Sequence, residues 1–293
     1  MLRRARPKSE TEQTPLQEPN LIAEIGINHN GNLDLALEMI SAAKAAGASS
    51  VKFQKRNPHV CVPEAMKNLP RETPWGSMTY LDYKIKLEFG LEEYKAIDRK
   101  AREEGISWSA SAWDEESLEF LDNFDLPYHK IASAMTLHPT LVESIARRQR
   151  PTLMSTGMTS EEQLDDVVSK FVAVNPNLTL LHCVSTYPAQ ESSLNLRRIG
   201  YLASRYGLPV GYSGHEASVS PSIVAAAMGA TVIERHFTLD RSMWGTDQAA
   251  SLEPRGLREL AQVLRKIPVV SGVENPPQHP EELAVAARLR YWI

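Results

Sequence analysis

The chain reads as an α/β protein, a single (β/α)8 TIM barrel with a long insertion after its second strand. Three observations predict this. Short apolar runs alternate with longer helical patterns eight times, helix caps and breakers punctuate the alternation, and charged residues sit at or near the carboxyl ends of several apolar runs. That end of the strands is where barrels of this kind keep their chemistry. At 293 residues the length suits one such barrel or two ordinary domains, so length alone does not choose. The eighth unit favours the barrel over a doubly wound open sheet, which would not need it.

In chain order the predicted strands are 21–25 (LIAEI), 50–54 (SVKFQ), 107–111 (SWSAS), 128–132 (YHKIA), 151–155 (PTLMS), 178–182 (LTLLH), 208–212 (LPVGY) and 231–235 (TVIER). The predicted helices are 33–45, 91–104, 115–123, 139–147, 160–174, 195–206, 218–228 and 254–267. Ser160 stands before EEQL as an N-cap, Gly47, Gly105 and Gly207 follow helices, and Pro254 opens one. The connection 55–90 is far longer than the roughly 12–15 residues at which structureless loops become uncommon. It is expected to form a lid or a substrate-facing insertion. The barrel is expected over 20–269, with 1–19 as a tail or loosely attached cap and 270–293 as a second tail.

Composition removes several function classes. A net charge of −4 with both signs interspersed gives no reason to expect a nucleic-acid or membrane partner. No stretch reaches the roughly 18 apolar residues that span a bilayer, and the first 20 residues lack the apolar core of a secretory signal. Cys61 and Cys183 lie far apart without a CxxC pattern, which points to a reducing compartment and a cytoplasmic protein.

Side chains alternate along a strand, so Lys52 shares a face with Gln54, and Glu234 shares one with His236. Glu24, Lys130 and His182 are likewise embedded in apolar runs. Burying such groups is costly unless they are paired or liganded. Structural ion pairs inside the barrel are one reading, and an active site is the other. The last two strands each run out into a histidine, His215 and His236, and a parallel pair brings both to one end of the sheet. Convergent imidazoles suggest a transition metal, although each could simply close its strand on a carbonyl. Ser133 after Lys130, Ser155 with Thr156 and Gly157, and Ser213 with Gly214 suit an oxyanion pocket alongside Lys52 and Lys130.

The segments AEIGINHNG (23–31), VKFQKR (51–56), YHKIASA (128–134), MSTGM (154–158), LLHCVSTYP (180–188), GYSGHE (211–216) and ERHFTLDRSMWGTDQAASLEP (234–254) resemble the N-acetylneuraminate (sialic acid) synthase family. The resemblance runs from about residue 20 to 267. It implies a metal-dependent transferase that condenses phosphoenolpyruvate with an N-acylated aldose such as N-acetylmannosamine. It makes His215 and His236 ligands of a divalent ion, Mn2+ or Mg2+. It also assigns Lys52, Lys130, Ser133, Ser155 and Ser213 to phosphoenolpyruvate, and Glu24, Gln54, Tyr187 and Asp247 to the sugar, with Glu24 or Asp247 moving protons.

Two departures bear on the sugar. Met135 stands where many members carry an acidic residue, and the C-terminal antifreeze-like domain that supplies an arginine to a partner subunit is absent from the sequence. An aldose other than plain N-acetylmannosamine is therefore expected, and a homo-oligomer remains an expectation. Trp75, Tyr80, Tyr83, Lys84 and Trp244 would either close over the sugar or pack. Two alternatives share the fold. One is a Schiff-base aldolase through Lys130. The other is a synthase using a phosphorylated or different aldose, for which no second basic cluster is evident at strand ends.

Overall fold

The computed structural model describes residues 16–273 and 275–292; residues 1–15 of the predicted 1–19 tail or cap lie outside them. Eight parallel strands close a barrel: β1 (Asn20–Gly26), β2 (Ser50–Lys55), β5 (Ser107–Ala112), β6 (His129–Ile131), β7 (Thr152–Ser155), β8 (Leu178–Cys183), β9 (Val210–Gly214) and β10 (Val232–His236). The circuit runs β1-β10-β9-β8-β7-β6-β5-β2, so the first and last strands of the barrel pair directly. Each strand lies within two residues of its predicted place. The helices between them are α1 (Leu33–Ala46), α5 (Leu91–Glu104), α6 (Glu115–Leu121), α7 (Pro139–Arg147), α8 (Glu161–Val174), α9 (Arg198–Tyr206), α10 (Ser220–Ala227) and α11 (Pro254–Leu264). Their boundaries follow local chemistry. Asn32 accepts from the Leu35 N–H at 3.1 Å to start α1, and Ser160 and Gln163 form a reciprocal capping box at α8.

Two apolar layers hold the barrel. The larger lies between strands and helices, where Phe53, Tyr94, Trp108 and Phe124 stack edge-on or tilted against one another. Each such buried side chain contributes about 1.5–3 kcal/mol. The smaller fills the lower interior with Ile22, Leu153, Leu181 and Val232 beside Tyr128. One residue pair further along the same strands, the inward positions become Glu24, Ser155, Cys183 and Glu234. Leu181 and Cys183 thus set the inward face of β8. His182, which the sequence reading grouped with the embedded charges, points the other way and bonds the Leu194 carbonyl at 2.6 Å.

The long connection after β2 is structured. It contains α2 (Pro58–Cys61), α3 (Glu64–Lys67), an antiparallel hairpin of β3 (Pro70–Thr73) with β4 (Gly76–Thr79), and α4 (Tyr80–Leu87). Tyr83 and Leu87 pack with Ile27 from the exit of β1, and Met78, Tyr80 and Trp244 join them. The insertion therefore leans on the barrel mouth. After α11 come α12 (Ile267–Ser271) and an exposed α13 (Pro280–Leu289). No described helix is long and apolar enough to cross a membrane.

Candidate active site

The carboxyl ends of the strands enclose a cavity of about 210 Å3. Its lining includes Glu24, Lys52, Gln54, Lys130, Ser133, Ser155, Tyr187, Ser213, His215 and His236, ten of the eleven residues expected from the sequence. The eleventh, Asp247, sits on the loop after β10 with Oδ2 3.9 Å from His236 Nδ1. That loop is tied across the barrel seam. Asn28 donates to the Phe237 carbonyl at 2.9 Å and to Ser251 at 2.8 Å, and Asn30 donates to the Trp244 carbonyl at 2.7 Å. The asparagines of AEIGINHNG thus hold a segment more than 200 positions away.

The charged floor consists of two lysines and two carboxylates. Lys52 Nζ lies 2.5 Å from Glu24 Oε2 and donates to Ser111 at 3.0 Å, while Gln54 donates to Glu24 Oε1 at 3.0 Å. Lys130 donates to Ser155 at 2.7 Å and lies 3.7 Å from Glu234, which also accepts from Ser213 at 3.0 Å. The two carboxylates diverge in acidity. Burial, reinforced by Glu234 and opposed by Lys52, raises Glu24 to about 6. Burial also works to raise Glu234, but Lys130 and Lys52 outweigh it and hold that group at about 2. Burial lowers Lys130 from its usual range, with Glu234 working against the shift. Glu24 is therefore the group whose protonation is poised near neutrality. The backbone at Gly26 passes so close that an added Cβ would lie 3.0 Å from Glu24 Oε1 and 3.1 Å from Gln54 Nε2.

The hydroxyl side is equally close-set. An added Cβ at Gly157 would approach Ser185 Oγ more closely than real contacts allow and would sit 2.8 Å from Ser133 Oγ. The bare backbone there lets the Ser133 and Ser185 hydroxyls and the Cys183 thiol face one space. Met135 does not reach it. Ser133 and Ala134 line the cavity, whereas Met135 packs against the helix-side core. The Met135 side chain therefore stands outside the lining of this cavity.

The two imidazole rings have centroids 5.3 Å apart, with Tyr187 4.2 Å from one and 5.7 Å from the other. His215 Nδ1 donates to the Val184 carbonyl at 2.8 Å. A carbonyl can only accept, so in the neutral ring the lone pair is on Nε2. This is the orientation a ligating histidine takes from its surroundings. Burial lowers His236 to about 4, which keeps it uncharged at neutral pH, and its Nδ1 is buried without a hydrogen-bond partner. Burial works to lower His215 as well, but Cys183 and the Val184 carbonyl outweigh it and raise that group. Two imidazoles beside a carboxylate suit a divalent first-row ion, which would displace any proton on His215. Among the described residues, no group of three or more His, Cys, Asp or Glu side chains forms a full ligand set.

Several lining groups escaped the sequence reading. Glu234 was placed on the strand face of His236 but given no role, and Ser111, Trp113, Cys183 and Ser185 were not singled out as site residues. The alternation within SWSAS would have indicated Ser111, which shares its strand face with Ser109. Cationic residues also gather outside the strand ends, on the insertion. Arg56 stacks over Trp113 at 4.3 Å, Arg71 over Tyr83 at 4.5 Å, and Lys84 over Tyr83 at 5.2 Å. Tyr83 and Trp244 are packing residues, 5.2 Å apart edge to face.

Residues 39–275 match the NeuB family. The chain is 38% identical over 272 residues to the N-acetylneuraminate-9-phosphate synthase of Homo sapiens, covering 92% of this chain and 76% of that one. It is 36% identical over 257 residues to the N,N'-diacetyllegionaminic acid synthase of Campylobacter jejuni subsp. jejuni serotype O:2, covering 86% and 77%. The crystal structure of N-acetylneuraminic acid (sialic acid) synthetase from Leptospira borgpetersenii serovar Hardjo-bovis in complex with citrate superposes with a TM-score of 0.83. It is 31% identical, and the alignment covers 94% of this chain and 93% of that one.

Proposed function

The chain belongs to the NeuB family, a family of sialic and related nonulosonic acid synthases, and from that premise we propose that it condenses phosphoenolpyruvate with an N-acylated aldose, with help from a divalent metal. The observation that carries the reading is the pairing of Lys52 and Lys130 with Glu24 and Glu234 at the floor of a cavity that His215 and His236 also line. Phosphoenolpyruvate, aldose and water give the nonulosonic acid and phosphate. Carbon 3 of phosphoenolpyruvate bonds to the aldehyde carbon, water adds at carbon 2, and the bond from carbon 2 to the phosphate oxygen breaks.

Lys130, Lys52, Ser133, Ser155 and Ser213 hold the phosphate and carboxylate of phosphoenolpyruvate. Gln54, Tyr187 and Asp247 orient the aldose so that the reacting carbons meet. Glu24, already raised to about 6, is pushed higher by an incoming anion and so enters the reaction as a proton donor. His215 and His236, with Asp247 beside them, would hold the ion, and nitrogen donors favour Mn2+ over Mg2+. When bound, the ion would supply Lewis-acid polarisation of the aldehyde oxygen.

The test is phosphate release from phosphoenolpyruvate with a panel of N-acylated aldoses, with Mn2+ or with chelator. Mn2+ binding is followed separately by titration calorimetry. His215→Ala and His236→Ala are expected to abolish both turnover and Mn2+ binding while the fold persists. Full activity of either variant in chelator would remove the metal from the reading. A Schiff-base aldolase is favoured by one observation, the burial-lowered Lys130. Borohydride trapping of a pyruvate adduct on Lys130 would decide for it.

A further inference from the structure

Beyond Gln54 and Asp247, on the side assigned to the aldose, the insertion gathers positive charge. Arg56 follows β2 and reaches back to Gln54, Arg71 comes from the β3–β4 hairpin, and Lys84 comes from α4. The wall of Tyr80, Tyr83 and Trp244 carries two of them. Arg71 stands 5.8, 4.5 and 5.6 Å from the three ring centroids, and Lys84 stands 5.3 and 5.2 Å from the first two. Glu88 answers Arg56 at 3.4 Å but is shared with Lys55. Neither Arg71 nor Lys84 has a carboxylate within ion-pairing distance among the described residues, and Arg71 Nε is buried without a hydrogen-bond partner. Burial first, and then Arg56 and Arg71, push Lys84 down to about 8, while Asp247 and Glu88 oppose the shift. Stacking on rings explains where each cation rests. It does not explain like charges gathered in partial burial, which costs stability unless an anion joins them.

The geometry points to a second anion site: Arg56, Arg71 and Lys84 bind a phosphate on the terminal carbon of the aldose, so the acceptor is an N-acylated hexose 6-phosphate. This rests on the reading of the barrel mouth as a phosphoenolpyruvate–aldose site. Family membership leaves the point open, since similar synthases are named both for a 9-phosphate product and for one without phosphate. Two cations from different elements and a third beside Gln54 suit a dianion held at several oxygens. An uncharged hydroxymethyl group would leave Arg71 and Lys84 unanswered.

The test compares N-acetylmannosamine with its 6-phosphate, each with phosphoenolpyruvate and Mn2+, by phosphate release and by titration calorimetry of each sugar. The phosphorylated sugar is expected to have the higher kcat/KM. Arg71→Gln and Lys84→Met, which keep the stems that lie on the rings, are each expected to cut that preference about tenfold to a hundredfold, mainly through KM. The site is overturned if the free sugar is used equally well or better, or if both variants leave the preference unchanged. A calorimetric preference for inorganic phosphate over the sugar phosphate at Arg71 and Lys84 would also overturn it. If neither sugar reacts while phosphoenolpyruvate still binds, the reading of the mouth itself fails, and this site with it.

Discussion

Glu234 and Arg235 are consecutive residues on one strand, both buried and both in ion pairs, yet they face opposite sides of the sheet and differ in how fully they are satisfied. Arg235 is completely buried between barrel and helix. It donates to the carbonyls of Gly214 at 3.1 Å and Ser218 at 2.8 Å and to Ser222 at 2.9 Å, with Glu216 at 3.0 Å. Glu216 in turn accepts from Tyr212 at 2.7 Å. Glu234, facing inward, meets Lys130 only at 3.7 Å, and its Oε2 is buried with no hydrogen-bond partner. A saturated pair has nothing left to offer a ligand, whereas the inward pair keeps unspent donors and acceptors facing an open cavity. Saturation, more than burial, separates architecture from a site.

The largest test of that contrast is Arg235→Met. It should cost about 3–5 kcal/mol in urea unfolding, because the fully buried Glu216 loses its only cationic partner among the described residues. Adding Glu216→Leu should restore much of the loss. A cost under about 1 kcal/mol would break the contrast. Lys130→Ala should instead weaken phosphoenolpyruvate binding at least about a hundredfold, near 3 kcal/mol, with less than half the stability loss of Arg235→Met. Equal stability losses for the two variants would make the inward pair architectural as well.

Acid sharpens the same division through the structural histidines. Burial holds His29 at about 3 and His129 at about 4, both below the ordinary 6.5. For a base depressed in the fold, stability is present above 6.5 and is lost as pH falls toward the folded value. Each of these histidines should therefore remove about 2 kcal/mol by pH 5. Glu24 runs the other way: its pKa is raised in the fold, so its contribution is present below 4.5 and lost as pH rises through about 6. Unfolding curves at pH 7 and 5, repeated with His29→Phe, should show a flatter slope in the variant. The smallest effect is expected from Ser111→Ala, which removes one bond to Lys52 and leaves Glu24 in place. It should lower kcat/KM about threefold to tenfold.

The sequence carried the barrel because strand alternation and caps are local signals, and it carried nine lining residues because shared strand faces and strand-end position are local too; Tyr187, on a loop, came only with the family resemblance. His182, embedded in an apolar run, is satisfied by the Leu194 carbonyl outside the cavity, because Leu181 and Cys183 take the inward face of β8. The place of Met135 was not legible, because a 3-10 turn over Ser133–Met135 lays its half-buried side chain against the helix-side core. The gathering of Arg56, Arg71 and Lys84 was invisible. Their meeting depends on a hairpin and a helix folding back onto Trp244, a tertiary event with no periodic trace.

The direct pairing of β1 with β10 has a consequence for the life of the chain during synthesis. Glu24 and Lys52 leave the ribosome early, but both imidazoles and Asp247 follow roughly two hundred residues later. Until β10 docks at the seam, the nascent protein has half a binding mouth and an unpaired edge on β1, a slow long-range closure of the kind that exposes chains to aggregation. Competence to bind metal at His215 and His236 would therefore appear only after the ring has shut, which would make it a readout of completed folding.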